Sequence, residues 1–252
     1  MLTDEQLERY SRQLLVPEID LAGQEALRQS RILIIGCGGL GNPAALYLAG
    51  AGVGRLVLAD PDHVEMSNLH RQTAFRSSDV GRQKVLALAD QLGQLNDDVV
   101  VQAEQCYADA DWLDKQVERA DVVLDCSDNF ATRQAVNRAC VVHGVPLVSG
   151  AAITMDGQLS VFDRRQADSP CYACLYGVET DGDMPCSRAG IAGPVVGVIG
   201  TLQAMAAMAI LCGQSLPSRL QTFDGRTLQW QEYLIKPDPK CPVCAASPTV
   251  TD

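Results

Sequence analysis

The chain has 252 residues, 47% of them hydrophobic and 5% aromatic, with a formal net charge of −11. That length buries a sizeable core as a single large domain, and an aliphatic, aromatic-poor composition suits an α/β protein. The acidic balance argues against nucleic acid and anionic membranes, which select basic surfaces, so an anionic substrate would need a local cluster of Arg and Lys.

The first residues, MLTDEQLERYSRQLL, are charged and carry no apolar signal core. Ten cysteines without such a core imply a reducing, cytoplasmic setting and free thiols. Cys37, Cys126, Cys140 and Cys212 lie within or beside apolar runs, where Cys behaves as a small buried hydrophobe. No stretch reaches about 18 continuous apolar residues, so no membrane span is expected.

Thr3 to Gln6 reads as a capping box opening a first helix that runs to about Leu15, within an N-terminal helical segment, residues 1–30. Arg31–Ile35 is a short apolar run, hence a buried parallel strand. Helical spacing covers Leu40–Ala51, Gln83–Leu95, Asp111–Arg119 and Ala131–Val142. Strand character covers Arg55–Ala59, Val99–Glu104, Val122–Asp125 and Pro146–Ala151. This alternation predicts a Rossmann-like, doubly wound, mostly parallel sheet as the core, residues 31–150. Asp60–Val80 is a long polar stretch, and such loops commonly carry function. After Gly150 the pattern changes to an antiparallel strand at Gln158–Asp163 and a loop at Tyr176–Gly190. A nearly all-apolar helix follows at Val195–Leu211, then a hairpin around Asp224-Gly225. No linker separates the halves, so residues 151–252 extend the same domain.

Two CxxC pairs, Cys171/Cys174 and Cys241/Cys244, supply four soft thiolates, the set a tetrahedral structural zinc takes. The long interval between them predicts a clasp tying the C-terminus to mid-chain. Four free thiols, or disulfides, are the alternatives. A site with four protein ligands has no open position and should hold structure without activating water.

Gly36-Cys-Gly-Gly-Leu-Gly41 follows a strand and precedes a helix. In that context the glycines let the backbone approach a phosphate, and the helix N-terminus supplies amide donors and positive dipole. Asp60 ends the next strand, where a carboxylate takes a ribose hydroxyl pair. So far a nicotinamide-dependent oxidoreductase is the default.

The next motifs depart from it. Asn68-Leu-His-Arg71-Gln72, Lys84 and Asp125-Cys-Ser-Asp128-Asn129 offer two cations, amides and a carboxylate near the carboxyl ends of strands. Arg and Lys neutralise a triphosphate and a carboxylate holds Mg²⁺; hydride transfer needs neither. Taken singly, Arg71 and Lys84 could be solvated surface charges. His63, His70 and His143 form no ligand spacing, and His143 beside Gly144 suits a helix C-terminus.

With Arg9-Tyr-Ser-Arg12-Gln13 added, these motifs occur in the order seen in the MoeB/ThiF adenylyltransferases, which the chain resembles from about Glu8 to Cys244. The resemblance implies a homodimer that uses Mg-ATP to adenylate the C-terminal Gly-Gly of a ubiquitin-like sulfur-carrier protein, in thiamine or molybdopterin biosynthesis. It places ATP against Gly36, Gly38, Gly39, Gly41, Asp60, Asn68, Arg71, Gln72, Lys84, Asp128 and Asn129. Asp60 would take the ribose, while Asn68, Arg71 and Lys84 would hold the phosphates. Asp128 would serve the metal and the adenylation step, and Arg12 would reach into the partner subunit's site. Cys186 matches a loop cysteine of the family, and residues 151–252 would carry the carrier-binding and zinc-containing part. With no rhodanese-like extension after Cys244, a separate sulfur donor of the cysteine desulfurase or rhodanese type is expected. Phe223-Asp224-Gly225 and Pro242-Val243 lean towards the thiamine branch. A noncatalytic scaffold of the same fold is a further alternative, which Arg71, Lys84 and Asp128 disfavour.

Overall fold

The computed structural model describes residues 2–166, 168–178 and 190–245. Eight strands form one sheet: β1 (Arg31–Ile35), β2 (Arg55–Ala59), β3 (Val100–Glu104), β4 (Val122–Asp125), β5 (Leu147–Ile153), β6 (Asp156–Phe162), β7 (Arg219–Asp224) and β8 (Gln229–Leu234). Their order is β3-β2-β1-β4-β5-β6-β7-β8. Pairings from β3 to β5 are parallel, and those from β5 to β8 antiparallel. The expected doubly wound sheet with an antiparallel extension is therefore present. β1 sits between β2 and β4, so the chain reverses its direction of travel there and leaves a crevice beyond the carboxyl ends.

Alternate residues of β1 enter opposite cores. Ile32 and Ile34 face one cluster with Leu56, Leu58, Leu88 and Ile199, while Leu33 and Ile35 face the other with Val57, Leu113 and Val136. The helices are α1 (Asp4–Arg9), α2 (Asp20–Gln29), α3 (Gly41–Gly50), α4 (Lys84–Leu95), α5 (Ala110–Val117), α6 (Phe130–His143), α7 (Tyr172–Tyr176) and α8 (Gly193–Leu211). The capping box at Thr3 is formed, but the first helix stops at Arg9 instead of Leu15. Tyr10 turns inward, 4% exposed, and its hydroxyl accepts from Asn96 Nδ2 at 2.8 Å. A separate helix, α2, completes the N-terminal segment.

α8 is 19 residues long with mean hydropathy 1.9, enough by length and composition to cross a membrane. Half of it is buried against β5, β6 and α3, and a core position accounts for its composition. Gln203, fully buried in it, donates from Nε2 to the carbonyls of Asp125 (2.8 Å) and Val148 (3.1 Å), joining the carboxyl end of β4 to the first part of β5. The short α7 ends at Tyr176, the start of the expected loop to Gly190, and residues 179–189 of that stretch lie outside the described residues.

Candidate active site

A cleft of about 580 Å³ opens at the carboxyl ends of the parallel strands, a size ordinary for a small-molecule site. It is lined by Gly36, Gly38, Gly39, Asp60, Asn68, Arg71, Gln72, Lys84, Asp128 and Asn129, so residues from five separate stretches of sequence converge. Gly41 and Arg12 do not line it. Gly41 starts α3, and Arg12 is exposed outside this cleft of its own chain. Cys186 lies outside the described residues.

The Gly-rich turn joins β1 to α3. Gly36 has φ +94°, and a Cβ there would meet the Cys126 carbonyl oxygen at 2.7 Å. A Cβ on Gly41 would come within 2.0 Å of the Gly36 carbonyl oxygen. Those two glycines are demanded by the fold. Gly38 differs: a Cβ would touch only Gln72 Nε2, at an ordinary 3.6 Å, and its φ is not left-handed. Neither packing nor strain requires glycine there, and its absent side chain leaves room for a ligand to approach the backbone.

Asp60 is 6% exposed, and its two oxygens accept from the amides of Cys37 (2.7 Å) and Asp62 (2.8 Å). One carboxylate thus fixes the Gly-rich turn and the start of the long loop. Burial raises its pKa, opposed by the Lys84 charge and both amides. Asn42, fully buried, accepts from Ala74 N and donates to Cys37 O, each at 2.8 Å, tying the same turn to the far end of that loop.

Lys84 is the first residue of α4 and is 7% exposed. Reading it as a solvated charge is therefore wrong. Its Nζ meets Asp62 Oδ2 at 2.8 Å. A cation at a helix N-terminus adds to the positive end of the dipole instead of offsetting it, which concentrates positive potential at the cleft wall. Arg71 Nη1 donates to the Ser67 carbonyl at 2.9 Å and lies 2.8 Å from His70 Nε2. Asn68 Oδ1 accepts from Glu65 N at 3.2 Å. Gln72 is 3% exposed, and its buried Oε1 has no hydrogen-bond partner among the described residues. An unpaired buried amide oxygen is costly unless a ligand or water completes it.

Asp128 and Asn129 follow β4. Asn129 Oδ1 accepts from Thr132 N at 2.9 Å, capping α6, while Asp128 is exposed at the cleft edge. Beneath them lies a network that reading the sequence missed. Asp125 is fully buried and accepts from Ser127 N (3.1 Å), Ser127 Oγ (2.6 Å) and Ser149 Oγ (3.2 Å). Arg133, one turn into α6, faces it at 3.9 Å. On a helical wheel Arg133 reads as a surface charge; only its spacing from the Asp125-to-Asn129 motif marks it.

The four CxxC sulfurs lie within 4.8 Å of one another, with Cys171 to Cys241 at 3.7 Å, Cys174 to Cys244 at 3.4 Å and Cys171 to Cys174 at 3.9 Å. Tetrahedral bonds of about 2.3 Å would separate sulfurs by about 3.8 Å. The cluster fits a single metal ion. Burial pushes the Cys171 thiol to about 11 and Cys244 still higher, a penalty that a bound cation would remove. Asn137, 1% exposed, donates to Cys171 Sγ at 3.6 Å and accepts from Tyr172 N at 2.9 Å. His143, also on α6, pairs with Asp114 at 2.7 Å and ends the helix before Gly144, φ +65°.

Residues 10–243 match the ThiF family. The chain belongs to that family. It is 47% identical to the sulfur carrier protein ThiS adenylyltransferase of Escherichia coli over 98% of both chains. It is 41% identical to the molybdopterin-synthase adenylyltransferase of Salmonella typhimurium, over 96% of this chain and 98% of that one. Among solved structures, E. coli MccB with ATP superposes with a TM-score of 0.82 at 25% identity, covering 94% of this chain and 74% of that one. An adenylyltransferase uses ATP.

Proposed function

We propose that the protein is an ATP-dependent adenylyltransferase acting on a sulfur-carrier protein. One observation carries the reading: Gly38, Asp60, Arg71, Lys84 and Asp128 share one cleft, in a chain 47% identical to a ThiS adenylyltransferase. An oxygen of the carrier's C-terminal Gly-Gly carboxylate attacks the α-phosphorus. The bond from that phosphorus to the bridging oxygen breaks, and pyrophosphate leaves. Little covalent chemistry falls to the protein, which positions two anions and offsets their charge.

In this reading the Gly36–Gly41 turn and the amide end of α3 cradle phosphate, and Asp60 takes the ribose hydroxyls. Asn68, Arg71, Gln72 and Lys84 hold the polyphosphate, with Asn129 closing the opposite wall. Asp128 orients the α-phosphate and would hold Mg²⁺, which supplies charge neutralisation. Arg12, exposed away from its own cleft, enters the cleft of a twofold partner in a homodimer. The four cysteines hold one structural zinc. Residues 31–150 form the nucleotide-binding core and residues 151–252 face the carrier. Cys186 serves a step after adenylation, and a separate donor supplies sulfur in the cytosol. The higher identity to the ThiS enzyme favours the thiamine-type carrier. Family membership sets aside the nicotinamide-dependent oxidoreductase.

The test is exchange of labelled pyrophosphate into ATP with E. coli ThiS as carrier. Exchange that requires ThiS supports the reading. No exchange with ThiS or with the molybdopterin-synthase carrier overturns it.

A further inference from the structure

The segment from Asp125 to Asn129 must present Asp128 at the cleft edge, yet Asp128 itself is exposed. Its placement depends on the residues on either side. On one side Asn129 is fixed as the cap of α6. On the other side the Ser127 carbonyl accepts from Arg133 Nη2. Arg133 Nη1 also lies 3.5 Å from Ser149 Oγ and 3.9 Å from Asp125 Oδ2, with the side chain only 11% exposed. Asp125 in turn holds Ser127 through both its amide and its hydroxyl.

We propose that Arg133 is a positioning residue for adenylation: it clamps the Ser127 carbonyl and thereby fixes where the Asp128 carboxylate stands. This rests on the reading of Asp128 given above. Two features support a role beyond stability. Arg133 is among the residues that line the cleft, so it is in place to act on the geometry of its wall. Burying a cation is costly unless it is paired, and the groups that compensate this one are the Ser127 carbonyl and the Asp125 carboxylate, both just before Asp128 in the chain. A planar fork that reaches a carbonyl and faces a carboxylate together is what Arg supplies and Lys does not.

The experiment is a double-mutant cycle on pyrophosphate exchange with the intact chain and E. coli ThiS, using R133K, D128N and the double variant. R133K keeps the charge facing Asp125 but loses the fork. It is expected to lower kcat by about 10²-fold, the effect of a misplacement near 1 Å, with KM for ATP unchanged because Arg133 does not touch the nucleotide in this reading. The double variant is expected to be no slower than D128N alone, since a misplaced Asp128 and a missing one lose the same interaction. A purely structural role would lower melting temperature and act additively. D128N at the wild-type rate overturns the site reading and this proposal with it. Impaired D128N with additive R133K overturns the role of Arg133 alone, as does R133K at full rate. S149A removes the hydroxyl between Asp125 and Arg133 and is the milder variant. If R133K does not fold, the cycle of S149A with D128N is read by the same criterion.

Discussion

Lys84 and Asp62 meet at 2.8 Å, the lysine side chain 9% exposed and the carboxylate 62% exposed. The burial is one-sided: the exposed Asp62 can turn to solvent when a polyphosphate takes its place and so release the lysine charge to the cleft. K84A is therefore expected to lower exchange by about 10²–10³-fold, the usual cost of a lost donor to developing charge. Because the aliphatic stem is buried, it should also lose about 1 kcal/mol, roughly 2–4 °C in melting temperature. Exchange kinetics and calorimetry on the same preparation check both.

The glycines of the turn separate by substitution. G38A is expected to melt within a degree or so of wild type while raising KM for ATP, since the new methyl has room in the protein but none beneath a phosphate. G41A places a Cβ about 2.0 Å from a carbonyl oxygen and should destabilise by about 3 kcal/mol. Equal melting temperatures for the two variants would contradict this division.

Asp60 gives a pH signature. Its folded pKa lies above the ordinary 3.8, so the native state holds this proton more tightly than the unfolded chain. The group's contribution to stability is thus fully present below 3.8 and lost as pH rises through the folded pKa. D60N should flatten that part of the stability profile in the weakly acidic range. The same substitution weakens the acceptor to the Cys37 amide and should raise KM for ATP at every pH. Melting curves against pH for both proteins are the measurement.

Metal analysis of freshly purified protein should give one zinc per chain, and C241A much less. Chelation should lower the melting temperature by several degrees, reversed on adding zinc, because binding energy at such a cluster is folding energy.

Arg12 acting across a dimer predicts complementation. Mixed R12A and K84A chains should recover exchange that neither shows alone, one cleft in each heterodimer having both residues. Subunit exchange followed by mass spectrometry, with no recovery of activity, would remove Arg12 from the site.

Much of this was legible in the chain. The Gly-rich turn, Asp60, the loop from Asn68 to Gln72, Lys84 and Asp128 each carry a local reason to be noticed, and the sheet topology brings them together. What stayed hidden were polar residues on apolar elements. Asn42 lies in an Ala- and Leu-rich helix, Gln203 in an almost wholly apolar one, and Arg133 on a helix face whose partner is set by β4 and β5. Each is defined by partners outside its own helix, such as the Ala74 amide, the Val148 carbonyl or the Ser127 carbonyl, and periodicity contains no such information. Tyr10 is similar: the helical pattern continues past it, but a tertiary bond to Asn96 ends the helix.

α6 is anchored at its start, by the Asn129 cap beside Asp128, and at mid-helix, by Asn137 against the Cys171 sulfur. Eight residues at about 1.5 Å each separate these anchors by about 12 Å. The stretch between the two anchors has no cheap partial opening: losing the cysteine contact must loosen the Asp128 segment with it. Amides of α6 and of the segment from Cys126 to Asn129 should therefore exchange hydrogen as one cooperative unit, with a shared opening free energy that falls for both together when the cysteine cluster is emptied.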